Sequence, residues 1–269
     1  MPWYQNIHGD KLWYEEHGKG PPLVLVHGWC MSSAVWSSLF HSDEFRVIAI
    51  DLRGHGKSGL SAAGYGFNGF AEDVSALFDH LDIKGVILAG WSLGAQVVLQ
   101  ASSKLHDRLA GVVLVSGTPC FVASEDFPHA LSKLEAQGMA LKVRRNLKRA
   151  LDGFVHRMFA YGELENKVLA THINQIMAAV PVPDTLVALE SLKALIDADM
   201  RPLLDNFDLP TLIINGDQDR ICVPEASDFM ARGITGSEHL VIKSCGHAPF
   251  LSNGLIFETA IADFNRRIH

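Results

Sequence analysis

Apolar residues in this chain gather into short unbroken runs instead of alternating with polar ones. The runs are PLVLVHG (22–28), RVIAID (46–51), GVILAGW (85–91), GVVLVSG (111–117), PTLIING (210–216) and EHLVIKS (238–244). Near-continuous apolarity predicts strands covered on both faces, the habit of parallel sheets. Helical or loop-like segments lie between the runs, and this regular alternation predicts a doubly wound α/β architecture. The first stretch, WYQNIHGDKLWYEEHG, differs and reads as an antiparallel hairpin at a sheet edge.

The rhythm breaks once, between Ser116 and Thr211. Leu147, Leu151, Phe154, Val155 and Met158 recur at helical spacing, and Ile173, Ile176, Met177 and Val180 form a second stripe before PVPD at 181–184. Residues 120–184 are therefore expected to be a helical cap (lid) inserted into a core made of 1–119 and 185–269. The core is expected to resume with the helix TLVALESLKALI. No internal repeat or low-complexity tract interrupts the pattern.

Composition narrows the class. The formal net charge of −7 and a pI near 6.0 argue against a nucleic-acid partner. No run is apolar and long enough to span a bilayer, and the N-terminus lacks a basic start followed by an apolar stretch, so neither a membrane span nor a secretory leader is expected. Cys30, Cys120, Cys222 and Cys245 form no CxxC pair and are expected to be reduced thiols in a cytoplasmic, monomeric protein.

One polar residue sits in the most apolar region. In GWSLG (90–94), Ser92 falls between a predicted strand and the predicted helix AQVVLQASSKL. G-x-S-x-G in that context predicts a sharp strand-to-helix turn that exposes a nucleophile at a helix N-terminus. Such a serine needs a base and an orienting acid, which follow it in the order acid, then histidine. His247 in SCGHAPF lies just past the last predicted strand. NGDQDRICVP offers Asp217 and Asp219, of which Asp219 is preferred because its placement leaves the loop room to turn toward the histidine. The N–H groups of Leu93 and of Trp29, in the HGW turn, are the expected oxyanion donors.

Other motifs carry less. GHGKSG (54–59) matches G-x-G-x-x-G after a strand but opens into a loop, not a helix, and is read as a structural turn beneath the site. No metal-binding or P-loop pattern appears, and no cofactor is expected.

The cap reverses the charge of the chain. Over residues 133–157, Lys133, Lys142, Arg144, Arg145, Lys148, Arg149 and Arg157 stand against only Glu135 and Asp152. Arg145, Arg149 and His156 are expected to share one helical face, flanked by Lys142 and Lys148. That face is either a solvated helix surface or a dock for an acidic partner or anionic substrate. Phe154 and Met158 on the underside would then line an acyl passage to Ser92.

Together HGW, DLRGHGKS, GWSLG, GDQD and GHAPF resemble the α/β-hydrolase superfamily over essentially the whole chain. More narrowly, GWSLG, SGTPCF, LESLKALIDADMRPLL and HAPF are similar to the pimeloyl-acyl-carrier-protein methyl ester esterases of biotin synthesis. The resemblance implies an α/β-hydrolase fold and a cofactor-free carboxylesterase. It implies the triad Ser92, Asp219 and His247, the oxyanion donors Trp29 and Leu93, and acyl-chain contacts from Trp91 and Phe154 as well as Trp29 and Leu93. It also gives the basic cap a partner, the acidic acyl carrier protein; the charge pattern, not the resemblance, makes Arg145, Lys148 and Arg149 the docking candidates. The same triad would serve another capped hydrolase, such as a carbon–carbon bond hydrolase or a short-chain esterase. The same fold without chemistry would serve as a ligand-binding protein.

Overall fold

The computed structural model describes residues 2–269. Eight strands form one sheet: β1 (Trp3–Gln5), β2 (Lys11–His17), β3 (Pro22–Val26), β4 (Arg46–Ile50), β5 (Val86–Trp91), β6 (Leu109–Val115), β7 (Thr211–Gly216) and β8 (Glu238–Ile242), in the order β1-β2-β4-β3-β5-β6-β7-β8. The pairs β1–β2 and β2–β4 are antiparallel, so the N-terminal hairpin forms one edge as its sequence suggests. All other neighbours are parallel. The central strands β5 and β7 are buried throughout, whereas the outer strand β8 is half-buried over most of its length.

Both faces are covered because both are apolar. Helices α1 (Phe67–Leu81) and α2 (Leu93–Leu105) pack together, α2 lying on β3, β5 and β6. Elsewhere a 3-10 helix (Ser33–His41) contributes Trp36 to an aromatic cluster with Phe250 and Phe257, the latter from the C-terminal helix.

After β6 the chain leaves the sheet and builds α3 (Lys133–Arg145), α4 (Leu147–Arg157), α5 (Lys167–Ala179) and α6 (Thr185–Asp197). Each starts at a small polar residue whose side chain accepts from the first turn: Ser132 in a capping box with Glu135, then Asn146, Asn166 and Asp184. Helix α6 packs on α3, yet its Ala188 carbonyl also accepts from Trp29 Nε1 (3.0 Å). It therefore links α3 to the turn that follows β3. The chain then returns to β7, followed by α7 (Pro224–Gly233), β8, α8 (Pro249–Ser252) and α9 (Gly254–Ile268).

The DLRGHGKSG stretch is a knot of buried hydrogen bonds. Asp51 accepts from the N–H groups of Ser33 (2.6 Å) and Lys57 (2.7 Å), and Gly56 has a φ of 55° with no room for a Cβ beside the Asp51 carboxylate. Arg53 donates through Nε (2.7 Å) and Nη2 (2.6 Å) to Asp73 on α1, and both side chains are fully buried.

His27 and His55 lie side by side below this turn, ring centroids 5.2 Å apart. Leu52 N–H donates to His27 Nε2, so the neutral ring donates from Nδ1 to the Gly28 carbonyl. Burial lowers His27 to about 4, and burial together with neighbouring His27 lowers His55 to about 3. In the unfolded chain both titrate near about 6.5. Between that value and about 4 the unfolded state binds more protons, so stability rises with pH through this window and is fully present above it. Each histidine sets a slope of up to about 1.4 kcal/mol per pH unit. Acidification from about pH 7 to about pH 5 is thus expected to cost up to about 4 kcal/mol. Urea unfolding across this range checks it: His55→Asn should remove about one proton from the pH slope, and an unchanged slope would assign the acid sensitivity elsewhere.

Candidate active site

Strand β5 and helix α2 are joined by a single residue. Ser92 N–H still donates to the Val115 carbonyl (2.9 Å), continuing the sheet ladder, while the Ser92 carbonyl already accepts from Ala95 N–H (2.9 Å) in the first turn of α2. One residue reverses the chain only in a strained conformation, and Ser92 has φ 57° and ψ −117°. This explains the flanking glycines. A Cβ on Gly90 would lie 2.1 Å from the Gly94 carbonyl oxygen, and one on Gly94 would lie 2.3 Å from the Val26 carbonyl oxygen.

The parallel order brings the other two candidates together, since β7 and β8 are neighbours and their following loops leave the same sheet edge. Gly216 ends β7 with no space for a side chain, as a Cβ there would lie 2.2 Å from the Cys245 and Gly246 carbonyl oxygens. His247 Nδ1 meets Asp219 Oδ2 at 2.7 Å, and both side chains are fully buried. The other Asp219 oxygen accepts from Ile221 (2.8 Å) and Cys222 (3.1 Å) N–H groups. Asp217 instead accepts from Cys245 N–H (3.5 Å) and faces Lys243. His247 Nε2 is buried and has no hydrogen-bond partner among the described residues. Ser92 is 8% exposed.

The HGW turn abuts the serine: a Cβ on Gly28 would sit 3.3 Å from the Ser92 Cβ and 3.1 Å from the Trp91 ring. Neither the Trp29 nor the Leu93 backbone N–H donates a hydrogen bond among the described residues. The nearby thiols are poor nucleophiles, because burial holds Cys30 and Cys222 well above the ordinary thiol range, with Asp219 adding to the effect at Cys222. All four cysteines are free.

Helices α3 and α4 line a groove of about 690 Å³ that meets the HGW turn at Trp29; its lining also includes Phe154, Glu135, Lys142, Arg145, Arg149 and Arg157. Trp29 and Phe154 meet edge to face, centroids 5.3 Å apart, and give the groove an aromatic part among four cations. One expectation about this region changes. The helix breaks at Asn146 (φ −165°), so Arg145 belongs to α3 and Arg149 to α4, and they share a groove without sharing a helical face. Lys148 and His156 are exposed and are not among the residues lining it. Trp91 is 1% exposed; it donates from Nε1 to the His247 carbonyl (2.7 Å), packs against Phe250, and is not among the residues lining the groove.

Two further links escape sequence reading because they are made to the His247 loop by the distant segment between α4 and α5. Met158 carbonyl accepts from His247 N–H (2.5 Å), and Glu163 Oε2 accepts from Gly246 N–H (2.9 Å). Among the described residues no cluster of three or more side chains could hold a metal, and no helix is long and apolar enough to cross a membrane.

Comparison with known proteins agrees with this architecture. The chain is 32% identical to a pimeloyl-[acyl-carrier protein] methyl ester esterase from Nitrosospira multiformis over 95% of this chain and 98% of that protein. It is 33% identical to the protein of the same name from Nitrosomonas europaea over 88% and 93% of the two chains. Among solved structures, an esterase from Exiguobacterium antarcticum superposes with a TM-score of 0.89 at 25% identity, covering 98% of each chain. A family model described as alpha/beta hydrolase fold matches residues 21–254, and the chain belongs to that family.

Proposed function

We propose that this protein is a serine carboxylesterase that hydrolyses the methyl ester of pimeloyl-acyl-carrier protein, releasing methanol and the free carboxylate, in biotin synthesis. The observation that carries the substrate is the groove between α3 and α4, whose lining combines the Trp29–Phe154 pair with four cations against the single acid Glu135. Anionic carrier and apolar chain are the two halves of such a substrate, and the groove offers both kinds of contact. The names of the relatives above, matched over nearly their whole length, point the same way.

In this reading His247 Nε2 takes the Ser92 proton as Ser92 Oγ attacks the ester carbonyl, while Asp219 holds the imidazolium through Nδ1. The Leu93 and Trp29 N–H groups receive the developing oxyanion, each such donor lowering the barrier by about 3 kcal/mol. The tetrahedral intermediate collapses, His247 protonates the departing methoxide, and an acyl-serine remains. Water then gives its proton to His247 and its oxygen to the acyl carbon, returning Ser92 and freeing the acid. No cofactor enters.

The cap, residues 120–184 in this reading, supplies docking through Arg145 and Arg149, joined by Lys142 and Arg157. Reversing charge in Arg145→Glu/Arg149→Glu is expected to lower kcat/KM on the carrier-bound ester by about 10- to 100-fold, mainly through slower association. Activity on p-nitrophenyl butyrate should be largely kept. Equal loss on both esters would detach the groove from carrier recognition and favour a small-ester hydrolase.

A further inference from the structure

We propose that Glu163, a cap residue, is the positioning residue of the base, so that His247 is held in place only while the cap is seated. The inference rests on the reading of Ser92, Asp219 and His247 as the triad. The side chain of His247 is fixed by Asp219, but its peptide is gripped from two sides. Its carbonyl accepts from Trp91 Nε1 of the core (2.7 Å), and its N–H donates to the Met158 carbonyl of the cap (2.5 Å).

Glu163 completes the grip with both carboxylate oxygens. Oε2 accepts from Gly246 N–H (2.9 Å) and from Ala160 N–H (2.5 Å), and Oε1 accepts from Ser252 Oγ (2.5 Å). These contacts bracket His247 in sequence, one residue before it and five after. The fit is close, since a Cβ on Gly246 would lie 2.2 Å from the Met158 carbonyl oxygen and 3.0 Å from Glu163 Oε2. The acid loop is tied to the same segment: Arg220, next to Asp219, donates from Nη2 to the Phe159 carbonyl (3.0 Å), and Arg157 Nη2 donates to the Arg220 carbonyl (3.1 Å). Residues 157–163 thus hold the loops of both acid and base. Helix α4, which brings Arg149, Phe154 and Arg157 to the groove, ends immediately before Met158. A partner bound in the groove therefore acts on the helix whose end carries the grip on His247.

The test is Glu163→Ala and Glu163→Gln in the full-length protein on p-nitrophenyl butyrate, with kcat expressed per active site counted by a fluorophosphonate probe. Displacing a base by about 1 Å costs about 10²-fold in rate, so Glu163→Ala is expected to lower kcat about 10- to 100-fold with KM within about twofold. Glu163→Gln is expected to recover most of it: the amide oxygen can accept from both N–H groups while the amide nitrogen donates to Ser252 Oγ. Wild-type kcat per active site in Glu163→Ala, with or without a lower Tm, would overturn the proposal, as would a Gln variant no better than Ala. If Glu163→Ala does not fold, Glu163→Asp replaces it; being one methylene shorter it cannot span Gly246 and Ser252, and wild-type kcat there would equally overturn the proposal. Ser92→Ala in parallel separates the two readings: full activity in that variant removes the triad itself, whereas an inactive Ser92→Ala beside a fully active Glu163→Ala removes only the role of Glu163.

Discussion

Ser92→Ala is expected to lower kcat/KM on p-nitrophenyl butyrate by at least about 10⁴-fold while leaving the protein folded. The reason is positional as well as chemical. Ser92 occupies the single residue between β5 and α2, and its carbonyl already belongs to the helix, so no neighbouring hydroxyl can take its place. Asp219→Asn is expected to fall by a similar factor, about 10⁴-fold, because the amide can present its N–H to His247 Nδ1 and fix the wrong tautomer. Replacing Ser92 by glycine should also abolish turnover yet leave the chain at least as stable as the alanine variant, since only glycine adopts φ 57° without strain of about 1–3 kcal/mol. Steady-state kinetics and thermal unfolding of the three variants check this, and hydrolysis surviving in Ser92→Ala would assign the nucleophile elsewhere.

The largest loss of stability is expected from breaking the Arg53–Asp73 pair on one side. Both side chains are fully buried, and Asp73 accepts two hydrogen bonds from Arg53 and one from Asn6 Nδ2 (2.8 Å). Removing the carboxylate in Asp73→Leu leaves a guanidinium in the interior whose hydrogen-bond partners, among the described residues, are then only the Gly69 and Gly64 carbonyls, with Asp10 and Glu72 acting on it only electrostatically. The expected cost is about 3–5 kcal/mol. The double variant Arg53→Met/Asp73→Leu should recover a large part of that, because two apolar residues need no partner. The exposed Lys193–Asp197 pair is the control, where little change is expected. Urea unfolding of the single and double variants decides between these outcomes, and a small loss in Asp73→Leu would mean that water or a neighbour satisfies Arg53. The pair ties the turn after β4 to α1, and that turn holds His55 against His27, next to the HGW turn.

The pattern of apolar runs was enough for the layered architecture. A strand that must bury both faces has few alternatives to apolar residues throughout, so β3, β5 and β7 announce themselves locally. GWSLG was legible for a similar reason. The space available at Gly90 and Gly94 is fixed by backbone within one strand-to-helix turn and the adjoining strand, and only glycine fits. Order along the chain then placed Asp219 and His247, since β7 and β8 are sequential neighbours.

The helices between β6 and β7 were legible only in part. Their stripes and start signals mark them, but the pattern does not say where one helix stops when an asparagine serves both as the end of α3 and the start of α4. Thus Arg145 and Arg149 were correctly drawn to one place for the wrong geometric reason. Trp91 shows the same limit. Its position beside Ser92 suggests a substrate contact, yet an indole with an N–H donor serves equally well beneath the histidine, and only packing distinguishes the two.

By itself, then, the sequence determined the sheet, the serine turn and the identities of the candidate acid and base, because each depends on periodicity, on steric exclusion within a few residues, or on strand order. Tertiary structure alone decided which cations share the groove, that Trp91 supports His247 from below, and that Glu163 reaches across from the cap to Gly246 and Ser252. The Trp91 and Gly246 contacts join residues far apart in the chain through single hydrogen bonds to backbone groups, and every residue has a backbone N–H or carbonyl to offer except proline, which lacks the N–H. A partner of that kind leaves no mark in the amino-acid pattern and appears only once the chain has folded.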